Sequence, residues 1–417
     1  MARTNRGALA SFFLRLGRQV WVRAALFTII GVAIALLAGF VGPLLPFSVA
    51  IDLGQNAVDS LLQIIATAML TVSTFSVTAM VTAFSSATTT ATPRSTPLLI
   101  ADTTSQNAVS TFVGAFTYSL VGIVALSTGY YTEQGRTILF IGTLVVIAIV
   151  VFTLLRWIAH LSTFGRMADV IDRVEKAATT AVEQYATSPT LGARALAVVP
   201  PRARAVHADE VGYVTHLDVA ALDRLADAHD LHVYVAAAPG RIADARTPLA
   251  HVVGRLDDDT AGAVRAAFRL EHHRTYEQDP RFGVIALAEI GSRALSPATN
   301  DPGTAIEVIA ALQRVLTRAL AIEPDPEVRF PRVSVAPTPL RDLIADAFRP
   351  LARDGAADVE VQVRLQKCLA SLAASAPHRA EEFRDAGRAA LARSRRVLDR
   401  ADARTLKAAM REAWAAV

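Results

Sequence analysis

Cysteine is nearly absent from this chain. Its one cysteine, Cys368, excludes an intrachain disulfide and a thiolate metal cluster. Within an alanine-rich helical stretch, a lone Cys reads as a small core residue. Charge is sparse from Trp21 to Leu161, and nearly all the acids follow residue 165. No dense Lys/Arg run is interleaved with aromatics, and the net charge of +4 is diffuse, so nucleic acid is not an expected partner. No GxGxxG, P-loop, GxSxG or HExxH pattern occurs. Neither a cofactor nor a catalytic constellation is therefore expected, and the chain reads as a non-enzyme.

What is present is apolar: 52% of the 417 residues are hydrophobic, concentrated at the N-terminal side. Four segments, at about 22–41, 61–84, 109–126 and 138–158, meet the criterion of about 20 largely apolar residues for crossing a bilayer. Arg3, Arg6, Arg15, Arg18 and Arg23 precede the first, Arg94 lies between the second and third, and Arg156, Arg166 and Arg173 follow or end the fourth. The opposite loops hold Asp52, Asp59 and Glu133 against Arg136 alone. The excess of inside positive charge places both termini in the cytoplasm. Tyr130, Tyr131 and Trp157 sit near span ends, as interfacial aromatics do. The expected fold class is an α-helical membrane protein, with four transmembrane helices followed by a helix-rich α+β cytoplasmic domain.

The second span differs from the others. Ser60, Gln63, Thr67, Thr71, Thr74, Thr78, Thr82, Ser85 and Thr89 follow at steps of three or four. On a helix they share a stripe roughly 100° wide. One reading is packing: each hydroxyl bonds its own i−4 carbonyl or joins neighbouring helices. The other is a pore lining, with the stripe facing an axis shared by several copies. No Asp, Glu, Lys or Arg stands at the centre of a span, which disfavours an ion-coupled transporter. Neutral hydroxyls suit conduction without specifying an ion. Asp52 and Asp59 are outer-mouth candidates that would favour cations, or else ordinary helix-start acids.

Beyond residue 165 the chain is expected to continue off the fourth span as a helix over 165–186. Strands are expected at 211–216, 231–237 and 248–253, with a helix at 218–228 between the first two. Later helices are expected at about 280–295, 302–320, 340–351, 358–374, 378–400 and 404–415. The implied organisation is a transmembrane domain at 1–165, a juxtamembrane helix and linker at 166–205, a small α+β module at 206–256 and a helical domain at 257–417. Asp279-Pro280 and Asp301-Pro302 each offer an N-cap followed by Pro at the first helical position. The polar cluster around Glu271, His272, His273 and Glu277 reads as a solvated helix end, because adjacent histidines diverge on a helix and no metal site is expected.

Several motifs resemble those of a bacterial family of predicted multi-span membrane proteins of unknown function. They are Thr92-Pro93-Arg94 with Asp102, Gln106 and residues 114–118, the Pro239-Gly240 turn followed by residues 247–249, the stretch Glu277 to Gly283, and the stretch Arg293 to Pro302. Within the last two, Gln278, Asp279, Pro280, Ser296, Pro297, Asn300, Asp301 and Pro302 are candidate functional residues. Arg241 and the Thr-rich second span depart from the family pattern. The resemblance covers about residues 20–320 and implies a bacterial plasma-membrane location without an established activity. The expected function is a homo-oligomeric ion channel lined by the second span, with the cytoplasmic domain as vestibule or gate. Its partners would be the lipid bilayer, further copies of the chain and ions. The alternative is a non-conducting membrane-anchored sensor or scaffold that binds a partner or small ligand.

Overall fold

Four helices near the N-terminus are long and apolar enough to cross a membrane. They are α1 (Val20–Val41), α2 (Gln55–Thr90), α3 (Thr103–Ser127) and α4 (Glu133–Leu161). The computed structural model describes residues 20–41 and 55–415. It divides into one unit of residues 1–89 and 96–169, and a second of residues 90–95 and 170–417.

In the first unit, α1 and α3 meet backbone to backbone. A Cβ on Gly31 would stand 2.8 Å from the Gly114 carbonyl oxygen, and one on Gly114 would stand 3.0 Å from that of Phe27. Such small-residue contacts let apolar helices associate where no hydrophobic effect drives them together. Gly31→Leu is therefore expected to part these helices and cost about 1–3 kcal/mol, read as an earlier melt of the purified protein. Gly262→Ala, inside α7 with nothing within 4 Å of the new methyl, is the control and is expected to melt no earlier than the wild type.

Among the described residues, the buried polar aromatics of this unit, Tyr118, Tyr131 and Trp157, each find a hydrogen-bond partner. Tyr118 Oη donates to the Leu139 carbonyl at 3.1 Å, Tyr131 Oη to Ala35 at 2.7 Å, and Trp157 Nε1 to Ser76 Oγ at 2.9 Å. Outward, α1 and α4 present Ile29, Leu37, Phe40, Phe152, Leu155 and Ile158, a surface suited to lipid rather than water.

Helix α2 is 36 residues long, so it extends past the apolar segment 61–84 at both ends and carries the whole stripe from Ser60 to Thr89. At 1.5 Å per residue it measures about 54 Å, against about 30 Å of hydrocarbon. It stops at Thr90, shortly before Pro93 restricts the backbone. The expected continuation of α4 into the next helix is corrected. Gly165 adopts φ +75° between α4 and α5 (Met167–Thr187), and a Cβ there would lie 2.8 Å from that of Ala83.

The second unit contains most of α5 and then a mixed region. Its elements are β1 (Ala193–Ala195), β2 (Arg204–Val206), β3 (Gly212–Leu217), α6 (Val219–Ala228), β4 (His232–Val235), β5 (Ile242–Ala243), β6 (Ala250–Val253), α7 (Asp258–Ala266) and β7 (Phe268–Glu271). Then follow α8 (Pro280–Ala294), α9 (Pro302–Leu320), β8 (Phe330–Val335), α10 (Leu340–Asp354), α11 (Val359–Ser375), α12 (Ala380–Ser394) and α13 (Arg400–Trp414). The strands form a five-stranded sheet, β1-β8-β4-β6-β2, and a three-stranded one, β5-β3-β7.

Strands β7 and β8 come from outside 206–256, so the α+β module expected there is not self-contained. β8 runs parallel to both β1 and β4. Pro331 conceals β8 from sequence reading, since a proline demotes a strand run. Its ladder to β1 is interrupted there, with the register stepping from Ala193↔Phe330 to Arg194↔Ser334. The sheet core is built from Val214, Leu222, Leu231, Val233, Val252 and Val333 and their neighbours.

Candidate functional site

Thr67, Thr71, Thr78, Thr82 and Thr89 each donate a hydroxyl to the carbonyl four residues back, at 3.0 Å, and Thr74 does so to Leu70. The i−4 half of the packing reading is therefore present. Within the single chain, Ser60, Gln63, Thr67, Thr71, Thr74, Thr78, Thr82, Ser85 and Thr89 are all exposed, and none is enclosed by α1, α3 or α4. The opposite side of α2, with Leu62, Ile65, Met69, Ser76 and Met80, is the one packed inward. Exposed Leu70 and Val77 flank the stripe on one side, and exposed Ala68 and Phe75 on the other. Because each threonine spends its proton on the backbone, the oxygen lone pairs remain facing outward as acceptors.

Near the start of α2, Asp59 accepts a 2.7 Å hydrogen bond from Gln63 Nε2. Asp52, the other outer-mouth candidate, lies outside the described residues. Where α3 begins, Asp102 caps the helix through Ser105 N at 2.7 Å and faces His160 Nε2 at 3.0 Å. Sequence reading noted Asp102 but missed His160, which is 58 residues away.

In the second unit the Thr92-Pro93-Arg94 motif meets Tyr276 and Glu289, which flank the motif Glu277 to Gly283. Residues 90–95 follow directly on the stripe helix. Tyr276 Oη donates to the Arg94 carbonyl at 2.9 Å. Glu289 accepts from Thr92 Oγ1 at 3.1 Å and pairs with the Arg94 guanidinium. Burial raises the Tyr276 phenol above its ordinary value, so it stays a proton donor. Glu289 is the sole carboxylate of α8, a signal that sequence reading left unused.

The same motif ties down the sheet. Gln278 Oε1 accepts from Leu217 N at 2.9 Å, joining the motif to β3. Asp279 caps α8 through Arg281 N and Phe282 N, and pairs with Arg274 at 2.7 Å. Its buried carboxylate rests on Gly240, which has φ +88° and whose absent Cβ would come within 2.4 Å of it. Pro280 fills the first helical position, and a Cβ on Gly283 would stand 2.5 Å from that of Ala178 in α5.

Ser296, Pro297, Asn300, Asp301 and Pro302 form the turn between α8 and α9. Asn300 adopts φ +47°, Asp301 N donates to the Ala294 carbonyl at 2.8 Å, and Asp301 caps α9 through Thr304 N at 3.0 Å. Thr304 holds the Asp301 carboxyl below its ordinary value. The 15 residues of α8 span about 22 Å. Gln278 and Asn300 thus stand at opposite ends of one helix and do not form a single site.

Residues 17–371 match the family described as "Predicted membrane protein (DUF2254)". The chain belongs to that family. Similar relatives are uncharacterized proteins of Mycobacterium bovis (strain ATCC BAA-935 / AF2122/97) and Mycobacterium tuberculosis (strain ATCC 25618 / H37Rv), each 28% identical over 228 residues. A third, from Mycobacterium tuberculosis strain CDC 1551 / Oshkosh, is 27% identical over the same length. Each alignment covers 52% of this chain and 43% of the relative, so it spans under half the length of the curated proteins it matches. No solved structure matches.

Proposed function

We propose that this DUF2254 protein is a homo-oligomeric, cation-preferring pore of the bacterial plasma membrane, with both termini cytoplasmic. Helix α2 lines the axis and the C-terminal unit forms the vestibule or gate. The observation that carries the reading is the outward hydroxyl stripe. A polar band on the outside of an otherwise lipid-suited unit is best placed where copies meet around water, with Leu70, Val77 and Phe75 sealing the seams between them. Outward acceptor lone pairs every 3–4 residues, and Asp59 near one end, favour cations over anions.

The residues after α2 are held by Tyr276 and Glu289, which gives the soluble unit a grip on the end of the lining helix. Purified protein in liposomes is expected to be oligomeric by native mass spectrometry and to pass thallium or potassium ions. Monomeric protein with no flux would sink the pore. Glu289→Gln is expected to change open probability while leaving unitary current intact, because it loosens the grip without touching the lining. A changed unitary current would contradict that role.

A further inference from the structure

Between α10, α11 and α12 lies a cavity of about 560 Å³, within the size range of small-molecule sites. Its walls are small, with Ala345, Ala386 and Ala389 set over the buried rings and branches of Phe348 and Leu369. Four arginines and two acids complete the lining, and both acids are already engaged. Glu382 accepts from Arg379 Nε at 2.6 Å, and Asp385 pairs with Arg388, which lies outside the lining. Arg349 and Arg393 have no carboxylate within ion-pair reach among the described residues. An apolar chamber whose mouth carries two unneutralised guanidinium groups is complementary to an organic anion with an apolar body. Guanidinium also matches the planar fork of a carboxylate.

We infer that this cavity binds a single-chain carboxylate, with its acyl chain over Phe348 and Leu369 and its headgroup between Arg349 and Arg393. The inference does not rest on conduction, since it concerns only the second unit. All of α12 lies beyond residues 17–371, so the site draws on a part of this chain that the family match does not reach.

The test is calorimetric titration of the full chain in lipid nanodiscs with decanoate, decanol and decyltrimethylammonium, subtracting empty nanodiscs. Decanoate is expected to bind at one site per chain, at least tenfold more tightly than either of the others. Arg349→Gln/Arg393→Gln is expected to weaken it at least tenfold with melting unchanged, because both side chains are solvent-exposed. Ala386→Trp, which fills the chamber and leaves both arginines in place, is expected to abolish the same heat. Equal binding of decanol, or unaltered decanoate binding in the arginine double variant, overturns the assignment. Loss of an oligomer in that variant with decanoate heat unchanged overturns it too, and makes the cavity a contact between copies.

Discussion

Thr78→Cys in reconstituted protein is expected to react with a cationic, membrane-impermeant thiol reagent, and the modification is expected to block ion flux. The background is clean, because Cys368 is the only native cysteine and is fully buried, with its thiol pushed up to about 12 by that burial. A thiol so placed is inert to such reagents. Thr78 is exposed on the surface of the first unit, so the reagent reaches it only if that surface faces water. Phe75→Cys, on the apolar flank, is expected to stay unmodified.

Thr78→Val adds a second readout. It keeps the shape and removes one outward acceptor, withdrawing about 1–3 kcal/mol of stabilisation from a passing ion. Flux is then expected to fall about tenfold or more, and Thr78→Leu to abolish it by narrowing and drying the path. In a lipid-facing helix the same substitutions are harmless. Unmodified Thr78→Cys together with normal flux in Thr78→Val would end the pore reading.

Asp279→Ala is expected to be the most damaging single change in the second unit. It removes the cap of α8, worth about 1 kcal/mol. It also strands Arg274, whose side chain is only 19% exposed. Breaking a buried pair costs about 3–5 kcal/mol, and partial exposure of Arg274 places the expected total near the lower end, about 3 kcal/mol. Asp279→Asn, which keeps a capping oxygen, is expected to lose less. Gly240→Ala attacks the same point from the other side, with a methyl driven into the carboxylate from a left-handed backbone. Thermal melts of the full chain in detergent rank the three.

The pH dependence separates charge from shape. Burial raises the Asp279 carboxyl above its ordinary value, outweighing the opposing pull of Arg274 and the two backbone donors. The folded state therefore holds this proton more tightly than the unfolded chain. The Asp279 contribution to stability falls as pH climbs from the ordinary aspartate value to the raised one. Asp279→Asn is expected to lack that fall. A wild-type profile identical to that of Asp279→Asn across this window would contradict the assignment.

Much of this was legible in residue order. Hydropathy alone located four long apolar helices, since a segment of about 20 apolar residues has few other stable placements. The Asp-Pro pairs marked the starts of α8 and α9, because Asp279 and Asp301 cap through neighbours two or three residues away. The short strands β1, β2, β5 and β7, two to four residues each, escaped because they are too brief to show alternation. Pro331 hid β8, whose pairing with β4 spans about a hundred residues.

The hydroxyl stripe was fixed by sequence, since 100° per residue aligns Ser60 through Thr89 without reference to any neighbour. Its direction was not. Only packing decided that Leu62, Met69 and Met80 turn inward, leaving the threonines on the outer surface. Tertiary structure likewise brought Arg94 to Glu289, Asp279 to Gly240, and Arg349 to the mouth of a cavity with Arg393. Local rules reach one or two helical turns. Contacts between residues 40 or 200 positions apart depend on how whole elements fill space against one another.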